Sequence, residues 1–313
     1  MRKEIKKLLA RTISTFYCLH GARILYFHSI HPSHEYANTP EVFTRMMRSI
    51  SDLGKVSHTM TDITWKLNRQ SMPENIVAIT FDDGYRDNYE HAFPALLDLG
   101  TSATFYVIAG LIADKAMNPT QQIYRGLKMM TKGQIIEMSN SGMEIGSHTW
   151  SHYPLKHADK KTLRYELETS KKYLEDILSR EVSSFCYPNG EVPINISEVE
   201  LFDLFEEIGY TSVTTCRWGC ITNQSHPLSL ERQIIDECDF NFILMTMSMS
   251  RMTMWWIWCF RLWVDYILFN IGFHRRTQWI NIKNNYNLFS INQWRFIFLR
   301  SDLNSNPSKW FCF

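Results

Sequence analysis

The amino-acid sequence predicts an α/β fold built on a parallel sheet or barrel. Two observations carry this expectation. Short apolar, β-branched runs alternate with amphipathic stretches about seven times between residues 23 and 236. Two clusters of potential metal ligands each follow directly on such a run, and chemistry in parallel α/β proteins gathers at the C-terminal ends of strands.

Residues 1–20 carry Arg2, Lys3, Lys6 and Lys7 ahead of Leu8-Leu9-Ala10, and Arg11, Thr12 and Ser14 then break the run. That falls short of the roughly 7–15 apolar residues of a secretory h-region. A cytoplasmic location is expected, with a periplasmic one, or a membrane-peripheral one through a short amphipathic helix, as the alternative. Residues 23–28 read as the first strand. Thr39-Pro40-Glu41 opens a helix, and Val42, Phe43, Met46, Met47, Ile50 and Leu53 follow at helical spacing up to Gly54. A short helix over 62–68 precedes the second strand, 75–81. Residues 87–99 form a helix closed by Gly100, and 103–108 the third strand.

Residues 109–130 are the least regular stretch and read as an inserted loop of the kind that lines substrate sites. A helix over 132–140 leads into the fourth strand, 143–147. Residues 159–178 form a long helix, whose charges, Glu166 and Lys171 among them, are expected to make a solvated face. Residues 183–187, 211–215 and 233–236 read as the last three strands. A helix over 197–208 sits among them with Leu201, Leu204, Phe205 and Ile208 inward.

The chemistry is concentrated in two places. Residues 76–85 read Ile-Val-Ala-Ile-Thr-Phe-Asp-Asp-Gly-Tyr, placing Asp82 and Asp83 at a strand end with Gly84 to turn the chain. Adjacent carboxylates resist ionising together unless a cation or hydrogen bonds compensate, so further ligands are expected elsewhere. Residues 144–152, Glu-Ile-Gly-Ser-His-Thr-Trp-Ser-His, supply His148 and His152. Their spacing of four predicts one face of a helical turn. Two imidazoles and a carboxylate make an open site of the catalytic zinc type, and the second carboxylate could take a proton from a water in the fourth position. Each motif alone is weak, since acidic pairs and His-x-x-x-His both arise by chance. Their combination points to a metal.

Thr80-Phe81-Asp82-Asp83-Gly84-Tyr85 and Ser147-His148-Thr149-Trp150-Ser151-His152 resemble the first two motifs of the polysaccharide deacetylase (NodB-homology, carbohydrate esterase 4-like) family. Phe185-Cys186-Tyr187-Pro188-Asn189-Gly190 resembles the third, in its Phe-x-Tyr-Pro-x-Gly form. The resemblance implies a distorted (β/α)7 barrel. It also implies a divalent metal, most often zinc, on Asp83, His148 and His152, with Asp82 as general base. The family's metal-bound water attacks the acetamide carbonyl of an N-acetylated sugar in a polysaccharide or glycolipid, or an O-acetyl ester in some members. Backbone around Tyr187 helps to hold the oxyanion.

Two departures matter. Many members carry an Arg at the head of the third motif, where this chain has Ser183 and Ser184, and a Leu-x-His late in the domain, where it has Leu228-Ser229-Leu230. One branch, similar to the poly-N-acetylglucosamine deacetylases, uses a first-strand His instead. Leu25-Tyr26-Phe27-His28-Ser29-Ile30 makes His28 the candidate acid, with a structural strand-end histidine as the other reading.

Overall charge and cysteines add boundaries. With 33 Lys and Arg against 32 Asp and Glu, the formal net charge is +1, which argues against a nucleic-acid partner. Cysteines at 18, 186, 216, 220, 238, 259 and 312 lack regular spacing and fit reduced thiols better than a disulfide framework.

The expected organisation is a basic segment at 1–20, the deacetylase-like domain at 21–244 and an aromatic-rich tail at 245–313. From residue 241 onward the chain holds 7 of its 10 Trp, no Ala and two acids against eight basic residues. This shift reads as a change of reading frame or a divergent end. Residues 252–273 are apolar but interrupted by Arg261 and Asp265, so membrane association through the tail is the less favoured alternative. Two rival functions are a catalytically impaired carbohydrate-binding relative and a membrane-attached interaction protein. The intact Asp82, Asp83, His148 and His152 favour the hydrolase, because a binding module has no need of base and ligands together.

Overall fold

A computed structural model describes residues 22–34, 37–55, 57–71, 76–113 and 127–235. The expectations for residues 1–20, for most of the inserted loop and for the tail lie outside these. Seven parallel strands close into a barrel in sequence order: β1 Arg23–Phe27, β2 Val77–Phe81, β3 Thr104–Val107, β4 Glu144–Ser147, β5 Ser184–Cys186, β6 Ser212–Trp218 and β7 Leu230–Ile234. β7 closes onto β1 through Leu25–Gln233 and Tyr26–Ile234. All five residues of β1 and of β2 are buried, as strands covered on both faces must be.

The helices begin where side chains cap them. Thr39 accepts from the Val42 N–H to start α1, Pro40–Asp52, which buries Phe43, Met46, Met47 and Ile50 as one stripe. Capping boxes Thr59/Asp62, Thr131/Gln134 and Ser197/Glu200 start α2 (Met60–Asn68), α5 (Lys132–Asn140) and α7 (Glu198–Ile208). Between them lie α3 (Phe93–Asp98), a single turn α4 (Ala109–Ile112), and α6 (Lys160–Leu178), capped by Asp159. The continuous helix expected over 87–99 instead opens into a π turn at Asn88–Ala92, where the Phe93 N–H reaches back five residues to Asn88. Pro94 explains it: a proline lacks the N–H and crowds the carbonyl four residues earlier, and one extra residue in the turn relieves both.

Alternate strand residues face opposite ways. Phe27, Phe81 and Phe105 join Phe43 of α1 in the outer core, with Phe81 and Phe105 stacked at 4.5 Å. Arg232, by contrast, meets Tyr26, Thr80 and Tyr106 across the barrel interior. Gly146 leaves room for that filling: a Cβ there would come within 2.5 Å of Tyr106 and 2.6 Å of the Ser184 hydroxyl.

Three expectations are corrected. β6 runs on to Trp218 and β7 starts at Leu230, because the two pair with a register shift between Thr214 and Trp218 that hides their extent in the pattern. Glu166 and Lys171 leave the solvated face of α6 and are buried, the latter bonding the Val182 carbonyl at 2.7 Å and Glu175 at 2.7 Å. Cys186 and Cys216 are free thiols, but Cys220 is disulfide-bonded, so the thiols are not uniformly reduced. Among the described residues no helix is long and apolar enough to cross a membrane.

Candidate metal centre and active site

β2 delivers Asp82 one residue past its end, where the Asp82 N–H still extends the ladder to the Phe27 carbonyl at 2.9 Å. The backbone then reverses. Asp83 (φ 74°) and Gly84 (φ 84°) both adopt left-handed conformations, and a Cβ at Gly84 would lie 3.0 Å from Val107. This bend separates the two carboxylates that the chain makes adjacent.

β4 delivers His148, whose N–H bonds the Val107 carbonyl at 3.0 Å. The expected helical turn is absent. The chain folds through a tight loop in which Thr149 (φ 68°) and His152 (φ 57°) are left-handed. The Thr149 hydroxyl donates to the His148 carbonyl at 2.5 Å and accepts from the His152 N–H at 2.9 Å. A strand leaving the barrel mouth must change direction at once, and this turn does so while keeping the imidazole centroids 5.0 Å apart.

Asp83 Oδ1 stands 3.4 Å from Nε2 of both His148 and His152, and all three side chains are buried. The His148 Nδ1 lies 2.8 Å from the Cys186 carbonyl, which can only accept, so Nδ1 carries a proton and Nε2 is the ligating atom. A separation of 3.4 Å is long for a direct ionic hydrogen bond, but it is roughly the edge of a tetrahedron with bonds of about 2.1 Å. The ligand atoms of this trio lie within 4.8 Å of one another. Carboxylate and imidazoles together fit a divalent cation.

Asp82 has a different fate. Arg232 grips it with two bonds, Nη1 to Oδ1 at 2.7 Å and Nη2 to Oδ2 at 2.8 Å. Burial pushes the Asp82 pKa up, but the Arg232 charge outweighs this and holds it below the ordinary aspartate value. Asp83 is opposed by burial too, yet its histidine partners bring it well below that value. Burial likewise disfavours a charged His148, but Cys186, Asp83 and Asp82 together raise its pKa. The Cys186 thiol is 3.0 Å from Arg232 Nη2 and 3.8 Å from Asp82 Oδ2, so it lines the wall behind the pair.

The polysaccharide deacetylase family model matches residues 69–212, which hold Asp82, Asp83, His148, His152 and the third motif. The Bacillus subtilis protein YxkH, assigned to the polysaccharide deacetylases, is 28% identical over 210 residues, covering 67% of this chain and 69% of its own. Over this segment the chain is similar to the polysaccharide deacetylases. These relatives and the solved structures below support a hydrolase acting on carbon–nitrogen bonds. A Staphylococcus aureus poly-β-1,6-N-acetyl-D-glucosamine N-deacetylase is 26% identical over 141 residues, or 42% of this chain and 46% of the relative. The chain therefore spans about half the length of that relative. Among solved structures, a Streptococcus pyogenes deacetylase, PplD, in complex with acetate superposes at a TM-score of 0.61 with 25% identity, covering 72% of this chain and 98% of that one. IcaB from Ammonifex degensii superposes at 0.61 with 22% identity, over 74% and 98%, and supports the fold.

Two further residues near the carboxylates, His28 and Arg232, lie outside the matched segment. His28 follows β1 directly and is partly exposed, and its charge is felt at both Asp82 and Asp83. Its ring makes an edge contact with Tyr26 at 5.7 Å. Arg232 is the residue that sequence reasoning missed. The arginine absent from the head of the third motif has a counterpart on β7, and the signal was Leu230 and Arg232 sharing one face of a strand. The Tyr187 ring packs against Phe185 and Phe205, and its N–H donates to the Thr214 carbonyl at 3.2 Å. That N–H is therefore committed, and the bend at Asn189 (φ 55°) and Gly190 (φ 66°) is the exposed part of the third motif.

Proposed function

We propose that the chain removes acetyl groups from N-acetylated sugars of a polysaccharide or glycolipid, using a divalent cation, zinc first, held by Asp83, His148 and His152. The carrying observation is the division of labour between adjacent carboxylates: Asp83 faces two imidazoles at 3.4 Å, and Asp82 is clamped by Arg232. The staphylococcal relative's name supports an N-acetylglucosamine polymer as substrate, and the acetate complex of the streptococcal structure supports acetyl chemistry.

When bound, the cation would supply Lewis-acid chemistry, making a water acidic and the acetamide carbonyl electrophilic. The chain's own groups do the rest. Asp82 is ionised at neutral pH and accepts the proton that the attacking water gives up, while Arg232 fixes its orientation. The water oxygen bonds to the carbonyl carbon, the C–N bond breaks, and the sugar nitrogen leaves as an amine that needs a proton. His28, partly exposed beside the carboxylates, is the donor proposed for it.

Metal content of the purified chain and of His148→Ala, followed by acetate release from chito-oligosaccharides, tests this reading. About one equivalent of metal lost in the variant, with zinc-dependent acetate release by the wild type, supports it. A folded wild type that takes up no metal overturns it.

A further inference from the structure

One face of α6 is tied to both ends of the ligand turn. Glu166 is 4% exposed, and the whole of its carboxylate is turned to that turn. Its Oε2 accepts from the Trp150 N–H at 3.0 Å and the Ser151 N–H at 2.9 Å, and its Oε1 accepts from the Ser151 hydroxyl at 2.7 Å. One helical turn further on, the Ser170 hydroxyl bonds the Ser147 hydroxyl at 2.7 Å, both fully buried. Ser147 immediately precedes His148, and Ser151 immediately precedes His152. Residues 166 and 170 stand on the same helix face.

We propose that Glu166, assisted by Ser170, is a positioning residue that presets the two imidazoles for the cation; this rests on the metal reading above. A buried carboxylate is costly unless fully hydrogen-bonded. Here its bonds go to the N–H groups of a loop, and that loop has no helical ladder to satisfy them. The left-handed Thr149 lies between the two anchors. With Glu166 gone, two N–H groups and a hydroxyl lose their acceptor, and the turn is free to relax from its left-handed geometry. His152 would then swing away from Asp83. His148 is less exposed to the loss, because the Cys186 carbonyl and Ser147 hold it from the other side.

The experiment measures zinc affinity by competition with a chelator, and the visible spectrum of the cobalt-loaded protein, which reports ligand geometry directly. Wild type, Glu166→Ala, Glu166→Gln and Ser170→Ala are compared, with circular dichroism to establish folding. Glu166→Ala is expected to lose about 10–100-fold in affinity, the usual effect of removing an outer hydrogen-bond partner of a metal site, and to change the cobalt spectrum. Glu166→Gln keeps an acceptor oxygen, and the Ser151 hydroxyl can reverse its bond, so affinity and spectrum return toward wild type. Folded Glu166→Ala with wild-type affinity and spectrum overturns the proposal. If Glu166→Ala does not fold, Ser170→Ala decides: weakened zinc binding supports the proposal, and unchanged binding overturns it. Absence of metal from the wild type itself is a separate outcome that removes the metal reading and this proposal with it.

Discussion

Arg232 on β7 and Asp82 beyond β2 form a fully buried, two-bond ion pair between residues 150 positions apart. The guanidinium is also braced by the Thr215 carbonyl at 3.0 Å and lies 4.3 Å from the Tyr26 ring. A buried pair of this kind stabilises little as a whole, but breaking it is expensive because one charge is left alone. Arg232→Ala is expected to lower stability by roughly 3–5 kcal/mol. It should also abolish acetate release. Denaturant midpoints and activity on the same preparation check both. Arg232→Lys keeps the charge but not the fork, and should recover stability better than activity.

The adjacent carboxylates should separate cleanly by mutation. Asp83→Asn removes the anionic partner of His148 and His152 and is expected to lose the metal together with activity. Asp82→Asn leaves that trio intact and is expected to retain the metal while kcat falls about 10²–10⁴-fold, the range for a lost general base. Elemental analysis beside turnover tests this. Retention of metal by Asp83→Asn, or its loss from Asp82→Asn, would reverse the assignments.

The pattern of what was legible follows from chain connectivity. Asp82, Asp83, His148 and His152 lie in short contiguous motifs, each directly after an apolar run, so residue order alone exposed them. Arg232 contributes to the same site but sits in Leu-Glu-Arg-Gln-Ile, a stretch that reads as an ordinary strand with charges. Only barrel closure, which sets β7 beside β1 and β2 within reach, turns its side chain into a site residue. Glu166 was hidden for the opposite reason. It belongs to a helix rich in charges, and periodicity cannot say which one charge faces a loop 15 residues earlier. The His148–His152 spacing matched a helical turn, but a strand end at a barrel mouth imposed left-handed residues that no residue type announced.

Acid should unfold the metal-free protein partly through these carboxylates. Asp82 and Asp83 have folded pKa values below the unfolded value, about 3.9 for aspartate. Their contribution is complete above that value and is lost as pH falls through the folded ones. Asp87 works in reverse: burial raises its pKa despite bonds from Ser29 and Ile30, so its contribution grows as pH falls. The pair's two lowered groups should dominate. Urea midpoints are expected to be steady from about pH 6, below which the raised His148 contributes in full, down to about pH 4, and to drop below it, more shallowly in Asp82→Asn. An equally steep fall in that variant would assign the acid sensitivity elsewhere.

His28 provides the sharpest separation of chemistry from structure. It is partly exposed, beyond the last residue of β1, and is not among the trio that fits the cation, so its replacement should leave metal content and fold unchanged. A sugar amine is a poor leaving group and needs a proton as the C–N bond breaks, whereas the phenolate of an aryl acetate departs without one. His28→Gln should therefore lose about 10²–10⁴-fold in kcat on an N-acetylated oligosaccharide, as expected for a lost general acid. It should retain most of its activity on 4-nitrophenyl acetate. The basic limb of the pH–rate profile, which reports the acid that must stay protonated, should disappear with it. Equal losses on both substrates would instead make His28 a structural strand-end histidine, since a general distortion of the site cannot tell a good leaving group from a poor one.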